Sequence, residues 1–163
     1  MEIQQKPQKY LSKLQAREKI EHYCAYQERS QKEVRNKLYE LGLKNRDDVE
    51  EIISDLIQNN FLNEERFALA YTRGKFRMKQ WGRIKIKQGL KLKGITGRLL
   101  KIALSSIDEE QYIQTLSAIL EKKNEKISEK DPYKRRYKLS QYAMLRGFES
   151  DIIAEVLKDS HLD

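Results

Sequence analysis

"GITGRLLKIAL", residues 94–104, and "GFESDIIAEVL", residues 147–157, match position by position. Ile95, Leu99, Leu100, Ala103 and Leu104 of the first stand against Phe148, Ile152, Ile153, Val156 and Leu157 of the second. A third glycine, Gly42, precedes Leu43 and then, after an insertion of about two residues, Val49, Ile52, Ile53, Leu56 and Ile57. Upstream of the glycines, Val34 and Leu38 align with Ile86 and Leu90, and with Leu139 and Ala143. Glycines spaced 52 and 53 residues apart, each closing an apolar-periodic segment, are the signature of an internal repeat. A glycine there supplies the left-handed residue that ends a helix.

Start signals fit the same division. Ser30 and Glu33 form a capping box, and Asn63, Asp108 and Asp131 each precede a helical pattern, the last with Pro132 at its first position. Glu64-Glu65 and Glu109-Glu110 then complement the positive ends of two helix dipoles. The patterns predict helices over 13–29, 31–41, 46–60, 64–80, 83–93, 97–106, 109–128, 132–146 and 150–159. No stretch alternates over strand length. The expected fold is all-α: three tandem three-helix repeats forming an elongated, curved array, divided as 1–61, 62–107 and 108–163.

Charge is distributed unevenly over this frame. The chain carries a net +8, yet no Asp or Glu lies between Arg66 and Ile107. That window holds 12 of the 33 cations, leaving 21 to face all 25 acids, a net of −4. A mildly acidic frame around a strongly basic middle calls for a polyanion. The candidate contact residues are Arg73, Lys75, Arg77, Lys79, Trp81, Arg83, Lys85, Lys87, Lys91, Lys93 and Arg98. In 64–80, Phe67, Ala70, Tyr71, Gly74 and Met78 are expected to face inward, with Arg73 and Arg77 one turn apart beside Phe76. In 83–93, Arg83, Lys87 and Lys91 make a stripe beside the buried arc of Ile86 and Leu90. Like charges at that spacing destabilise a helix by about a few tenths of a kcal/mol per pair, and the window offers no acid in return. A phosphate backbone is the better partner than a membrane surface, because no broad apolar face accompanies the cations. Phe76 and Trp81 are placed to stack on unpaired bases, against the plainer alternative of packing between helices.

Machinery for chemistry is not visible. His22 and His161 have no ligand-forming neighbour at metal spacing, and Cys24 beside Tyr23 reads as a small core residue. There is no phosphate-binding glycine loop and no nucleophile set with a base. The acidic pairs read as helix-start residues rather than an acid–base couple. The first six residues, Met1 to Lys6, lack the apolar core of a signal peptide, and no apolar run approaches the ~18–20 residues of a membrane span. With one cysteine and few prolines, a cytoplasmic, non-enzymatic protein is expected, with no cofactor or metal.

"FLNEERFALAYTRGKFRMKQWGRIKIKQGLKLKGI", residues 61–95, and "SQKEVRNKLYELG", residues 30–42, resemble the RecX family of bacterial recombination regulators. The most specific pieces are Leu62-Asn63-Glu64-Glu65-Arg66-Phe67-Ala68, Trp81-Gly82, and Leu90 to Ile95. Asn63 departs from the family's usual aspartate, and Gly89 stands where glutamate is frequent. The resemblance implies a protein that binds RecA, lies in the groove of the RecA filament on single-stranded DNA, and limits filament extension, recombinase and coprotease activity in homologous recombination, DNA repair and the SOS response; a monomer is expected. Two other readings fit the charge pattern. One is a stand-alone nucleic-acid-binding module for duplex DNA or structured RNA; the other is a scaffold for an acidic protein partner.

Overall fold

The computed structural model describes residues 11–160; the readings of the first six residues and of His161 lie outside these. The described residues form helices and no strand. In chain order the helices are α1 (Lys13–Tyr26), α2 (Gln31–Glu40), α3 (Arg46–Gln58), α4 (Glu64–Lys79), α5 (Arg83–Leu92), α6 (Gly97–Ser105), α7 (Glu109–Lys126), α8 (Pro132–Leu145) and α9 (Ser150–Asp159). The predicted starts agree with these bounds, and several predicted ends run one to three residues long. At α1 the cause is local. Gln27 is already extended, because Ser30 must enter the next helix as a cap, and the Arg29 guanidinium closes the helix end by donating to the Tyr23 carbonyl at 3.0 Å.

Three chain reversals repeat one hydrogen-bond pattern. Gly42, Gly94 and Gly147 have φ of 103°, 82° and 94°. After each, the apolar residue donates its N–H five residues back, Leu43 to Leu38, Ile95 to Leu90 and Phe148 to Ala143, at 3.3, 3.0 and 3.2 Å. This is the glycine-closed helix end that satisfies otherwise orphaned carbonyls, with the apolar residue folded under the helix it follows. The aligned core positions are buried in all three copies: Val34 and Leu38, Ile86 and Leu90, Leu139 and Ala143 are each fully inaccessible. The all-α repeat array expected from the sequence is present.

The helices gather into two compact units, one running to Phe67 and the other starting at Ala68. In the first, Ile20, Leu38, Val49 and Ile52 form the centre of the core. Cys24 packs there too; burial pushes its thiol pKa up to about 11, so it stays protonated and acts as a small apolar side chain. In the second unit Tyr112 lies at the centre, its ring 5.9 Å from Phe76 and 5.1 Å from Phe148. Each such fully buried large side chain contributes about 1.5–3 kcal/mol by leaving water.

Candidate nucleic-acid interface

The acid-free segment occupies α4, α5 and α6. Asn63 starts α4, its Oδ1 accepting from Arg66 N–H at 2.9 Å, with Glu64 and Glu65 in the first turn. The buried face of α4 in the second unit is Ala68, Thr72 and Phe76, spaced four apart. The inward face predicted from sequence therefore needs correction. Ala70 is exposed and Met78 is 83% exposed. Five apolar or aromatic residues in succession, Phe67 to Tyr71, leave the helical phase ambiguous, and the buried arc lies about one residue from the predicted one. Phe76 is correspondingly a core residue stacked on Tyr112, not a platform for a base.

Arg83 is the second correction. Its stripe-mates Lys87 and Lys91 are exposed, but Arg83 turns inward. Its guanidinium lies 3.9 Å from the centroid of the Tyr112 ring and donates to Glu149 Oε2 at 3.0 Å and to Glu109. Its backbone N–H donates to Tyr112 Oη at 3.0 Å, and the Tyr112 hydroxyl donates to Glu149. Burial and the Glu149 carboxylate hold the Tyr112 phenol above its usual range. Burial works against the Arg83 charge, but the two carboxylates more than offset it and its pKa rises. Arg83 is thus a joint between α5, α7 and the start of α9. Glu109, Tyr112 and Glu149 were not singled out as its partners, because they lie 26, 29 and 66 residues away along the chain.

The backbone of the same joint explains Gly82. Its N–H donates to the Arg146 carbonyl at 2.8 Å, and the next residue but one, Ile84, donates to the Gly147 carbonyl at 2.9 Å. A Cβ on Gly82 would lie 2.3 Å from the Gly147 carbonyl carbon and oxygen, inside any permitted contact. The Trp81-Gly82 turn and the Gly147-Phe148 turn dock backbone to backbone, which only glycine allows.

The remaining cations do face outward. Arg73, Arg77, Lys79, Lys87, Lys91 and Arg98 are exposed and make no ion pair with any described residue. Lys75 and Lys85 are half-buried against Trp81, their ammonium groups 4.8 and 4.7 Å from its ring centroid. The indole thus has two ammonium groups beside it, each attracted to the ring by about 0.5–1 kcal/mol at an exposed site. Lys93, which caps the end of α5, is half-buried. Projected at about 100° per residue, Arg73 and Arg77 lie on one flank of the α4 buried arc and Lys75 on the other. Lys87 and Lys91 likewise share one flank of α5, with Lys85 opposite. The Tyr71 hydroxyl lies where a Cβ on Gly89 would sit, so the flanks carrying Lys75 and Lys85 face each other. The cations form groups about the Trp81 turn rather than one continuous line.

Comparison with known proteins decides the family. A model of the second three-helix domain of RecX matches residues 63–104, and one of the third three-helix domain matches residues 109–157. The chain belongs to the RecX family. The regulatory protein RecX of Lactococcus lactis subsp. lactis (strain IL1403) is 33% identical over 144 residues, covering 87% of this chain and 53% of that relative. RecX of Clostridium perfringens (strain 13 / Type A) is 34% identical over 132 residues, covering 80% and 61%. The chain thus spans between about half and three fifths of the length of these curated RecX proteins. The crystal structure of RecX from Lactobacillus salivarius superposes with a TM-score of 0.84 at 26% identity, covering 93% of this chain and 97% of that one. A second RecX crystal structure, at 22% identity, shares the fold with a TM-score of 0.80. RecX relatives are named as regulatory proteins, and the Trp81-Gly82 and Gly94-Ile95 turns that carried the resemblance lie inside the matched second domain.

Proposed function

We propose that this chain is a non-enzymatic regulator that binds RecA and the RecA filament on single-stranded DNA and limits filament extension, and with it recombinase and coprotease activity. The observation that carries the reading is the set of exposed cations without carboxylate partners in α4, α5 and α6 of a RecX-family chain. Arg73, Arg77, Lys87 and Lys91 supply the electrostatic contact, Lys75 and Lys85 are held ready on Trp81, and Arg83 positions α5 from within. In the repeat division at 61/62 and 107/108, the outer repeats supply the protein contact. Such a surface approaches DNA phosphates or an acidic face of RecA with a salt-dependent affinity, because each neutralised phosphate releases counterions.

The test is RecA-driven ATP hydrolysis on single-stranded DNA with increasing amounts of the protein. Inhibition at substoichiometric ratios to RecA is expected; no inhibition at any ratio removes the assignment. The acid-free segment also suits a stand-alone nucleic-acid-binding module. Tight binding to duplex DNA or structured RNA without RecA, weakening steeply with salt, together with absent inhibition, would favour that reading.

A further inference from the structure

Outside the acid-free segment, α7 and α8 enclose a second concentration of positive charge. A cavity of about 260 Å³ is lined by Lys122, Lys123 and Lys126 of α7, by Tyr142 of α8 and Arg146 that caps it, and by Gln80. It shares Lys123, Lys126 and Tyr142 with a neighbouring cavity of about 480 Å³ that continues to Tyr137 and Leu145. The two make one trough, and no carboxylate lines either part.

The cations at the closed end are held in place. Lys123 Nζ lies 4.8 Å and the Arg146 guanidinium 5.5 Å from the Tyr142 ring centroid. Arg146 also donates to the Tyr142 hydroxyl at 3.3 Å and to the Lys79 carbonyl at 3.0 Å, while its buried Nε has no partner among the described residues. The dipole at the end of α7 favours Lys123 and Lys126. It does not account for an arginine facing them from the end of α8, nor for the want of a carboxylate. Glu121 and Glu125 lie about 60–140° around α7 from Lys122 and Lys126 and line neither cavity, and Glu129 pairs at 3.7 Å with Lys138, at the outer part of the trough. The open end differs in character. Tyr137 is 63% exposed and Leu145 76% exposed, apolar surface beside an anion-seeking pocket.

We propose that this trough is a second seat for a single nucleic-acid strand, taking a phosphate among Lys122, Lys123, Lys126 and Arg146 and stacking an unpaired base on Tyr137. Four cations without a carboxylate require an anion of high charge density, and an exposed aromatic at the same trough requires a ring that is not already stacked. A duplex hides its base faces and leaves Tyr137 without a partner. Arg146 grips the end of α4, so a strand lying along Arg73, Arg77 and Lys79 reaches the trough directly. The choice of ligand rests on the regulator reading above, but the seat works without RecA.

The experiment measures fluorescence anisotropy of labelled oligothymidine and of a duplex of equal length, without RecA, across a range of salt. Lys122→Ala/Lys126→Ala is expected to lower the slope of log affinity against log salt by about 1.4, two contacts at ~0.7 each for a single strand. Tyr137→Ala is expected to weaken oligothymidine about five-fold or more and to leave duplex binding unchanged. Lys19→Ala, an exposed cation on α1 outside the trough, should bind as the parent does. Unaltered slope and affinity in the first two variants, or equal losses for duplex and single strand, would overturn the proposal. RecA-driven ATP hydrolysis measured on the same variants separates the two readings: a parent protein that inhibits RecA while its trough variants bind oligothymidine normally loses only the second seat.

Discussion

The two compact units treat their positive charges in opposite ways. Up to Phe67, most long-chain cations that touch another element meet a carboxylate: Lys13 meets Glu51 at 2.5 Å, Arg17 meets Asp55 at 2.7 Å, Arg35 meets Glu50 at 2.6 Å and Arg66 meets Glu28 at 3.0 Å. From Ala68 through α6, Arg83 has carboxylate partners, whereas six cations on α4, α5 and α6 reach solvent without an ion pair among the described residues. The repeated helical scaffold is the same, down to the glycine-closed turns. What differs is whether the charge is spent on the fold or left exposed to solvent.

The contrast can be broken by removing the free charges. Changing Arg73, Arg77, Lys87 and Lys91 together to Glu should leave helix content intact by circular dichroism. It should abolish RecA inhibition and cut the salt slope of single-strand binding by about three, four contacts at ~0.7 each. Retained inhibition would make these side chains ordinary solvated decoration.

A smaller but sizeable effect is expected at Arg83, the cation that α5 does pair. Tyr112→Phe leaves Glu149 short of a donor and the Arg83 N–H without its acceptor, and should lower unfolding stability by about 1–3 kcal/mol at neutral pH. The pH dependence has a definite sign. A phenol whose folded pKa lies above its unfolded value of 10.0 contributes stability that is complete below pH 10 and is lost as pH rises beyond it. The difference between parent and variant should therefore narrow by about 1.4 kcal/mol per pH unit above 10, measured by urea unfolding. A difference that stays constant through pH 11 would show that the hydroxyl is not protected.

Gly74 sharpens the comparison in the other direction. A Cβ there would meet nothing within 4 Å, so Gly74→Ala should stabilise α4 by about 0.5–1 kcal/mol in thermal unfolding. The smallest effect is expected in the first unit. Arg35→Met should cost at most about 1 kcal/mol, since the pair with Glu50 is partly solvated. Because Arg35 lowers the Glu50 pKa from 4.5, that contribution is present above pH 4.5 and disappears as pH falls through the depressed value.

Local signals carried most of the fold. Ser30, Asn63, Asp108 and Asp131 each cap the helix they were expected to cap, and Gly42, Gly94 and Gly147 each adopt the left-handed turn. A second capping box, Ser12 with Gln15, was equally legible in its Ser-x-x-Gln spacing and went unremarked. What local pattern could not supply was the choice among adjacent apolar residues in α4, where burial of Thr72 in place of Ala70 depends on which neighbours arrive. The pairing of Arg83 was hidden for a related reason: an acid-free window says nothing about carboxylates brought in from α7 and the α8–α9 turn. The α7–α8 trough was masked by charge mixing, since Glu121 and Glu125 are interspersed in sequence with the lysines, and only the arrival of α8 selects which of these side chains line a cavity.

Trp81 is the chain's one tryptophan, and it sits between α4 and α5 with two ammonium groups within 5 Å of its ring. Its excited state senses the field those charges impose, so a polyanion drawing either lysine aside changes the colour and yield of its emission. Under the proposed function, the emission of Trp81 therefore reports, without a label, whether an anion has reached Lys75 and Lys85.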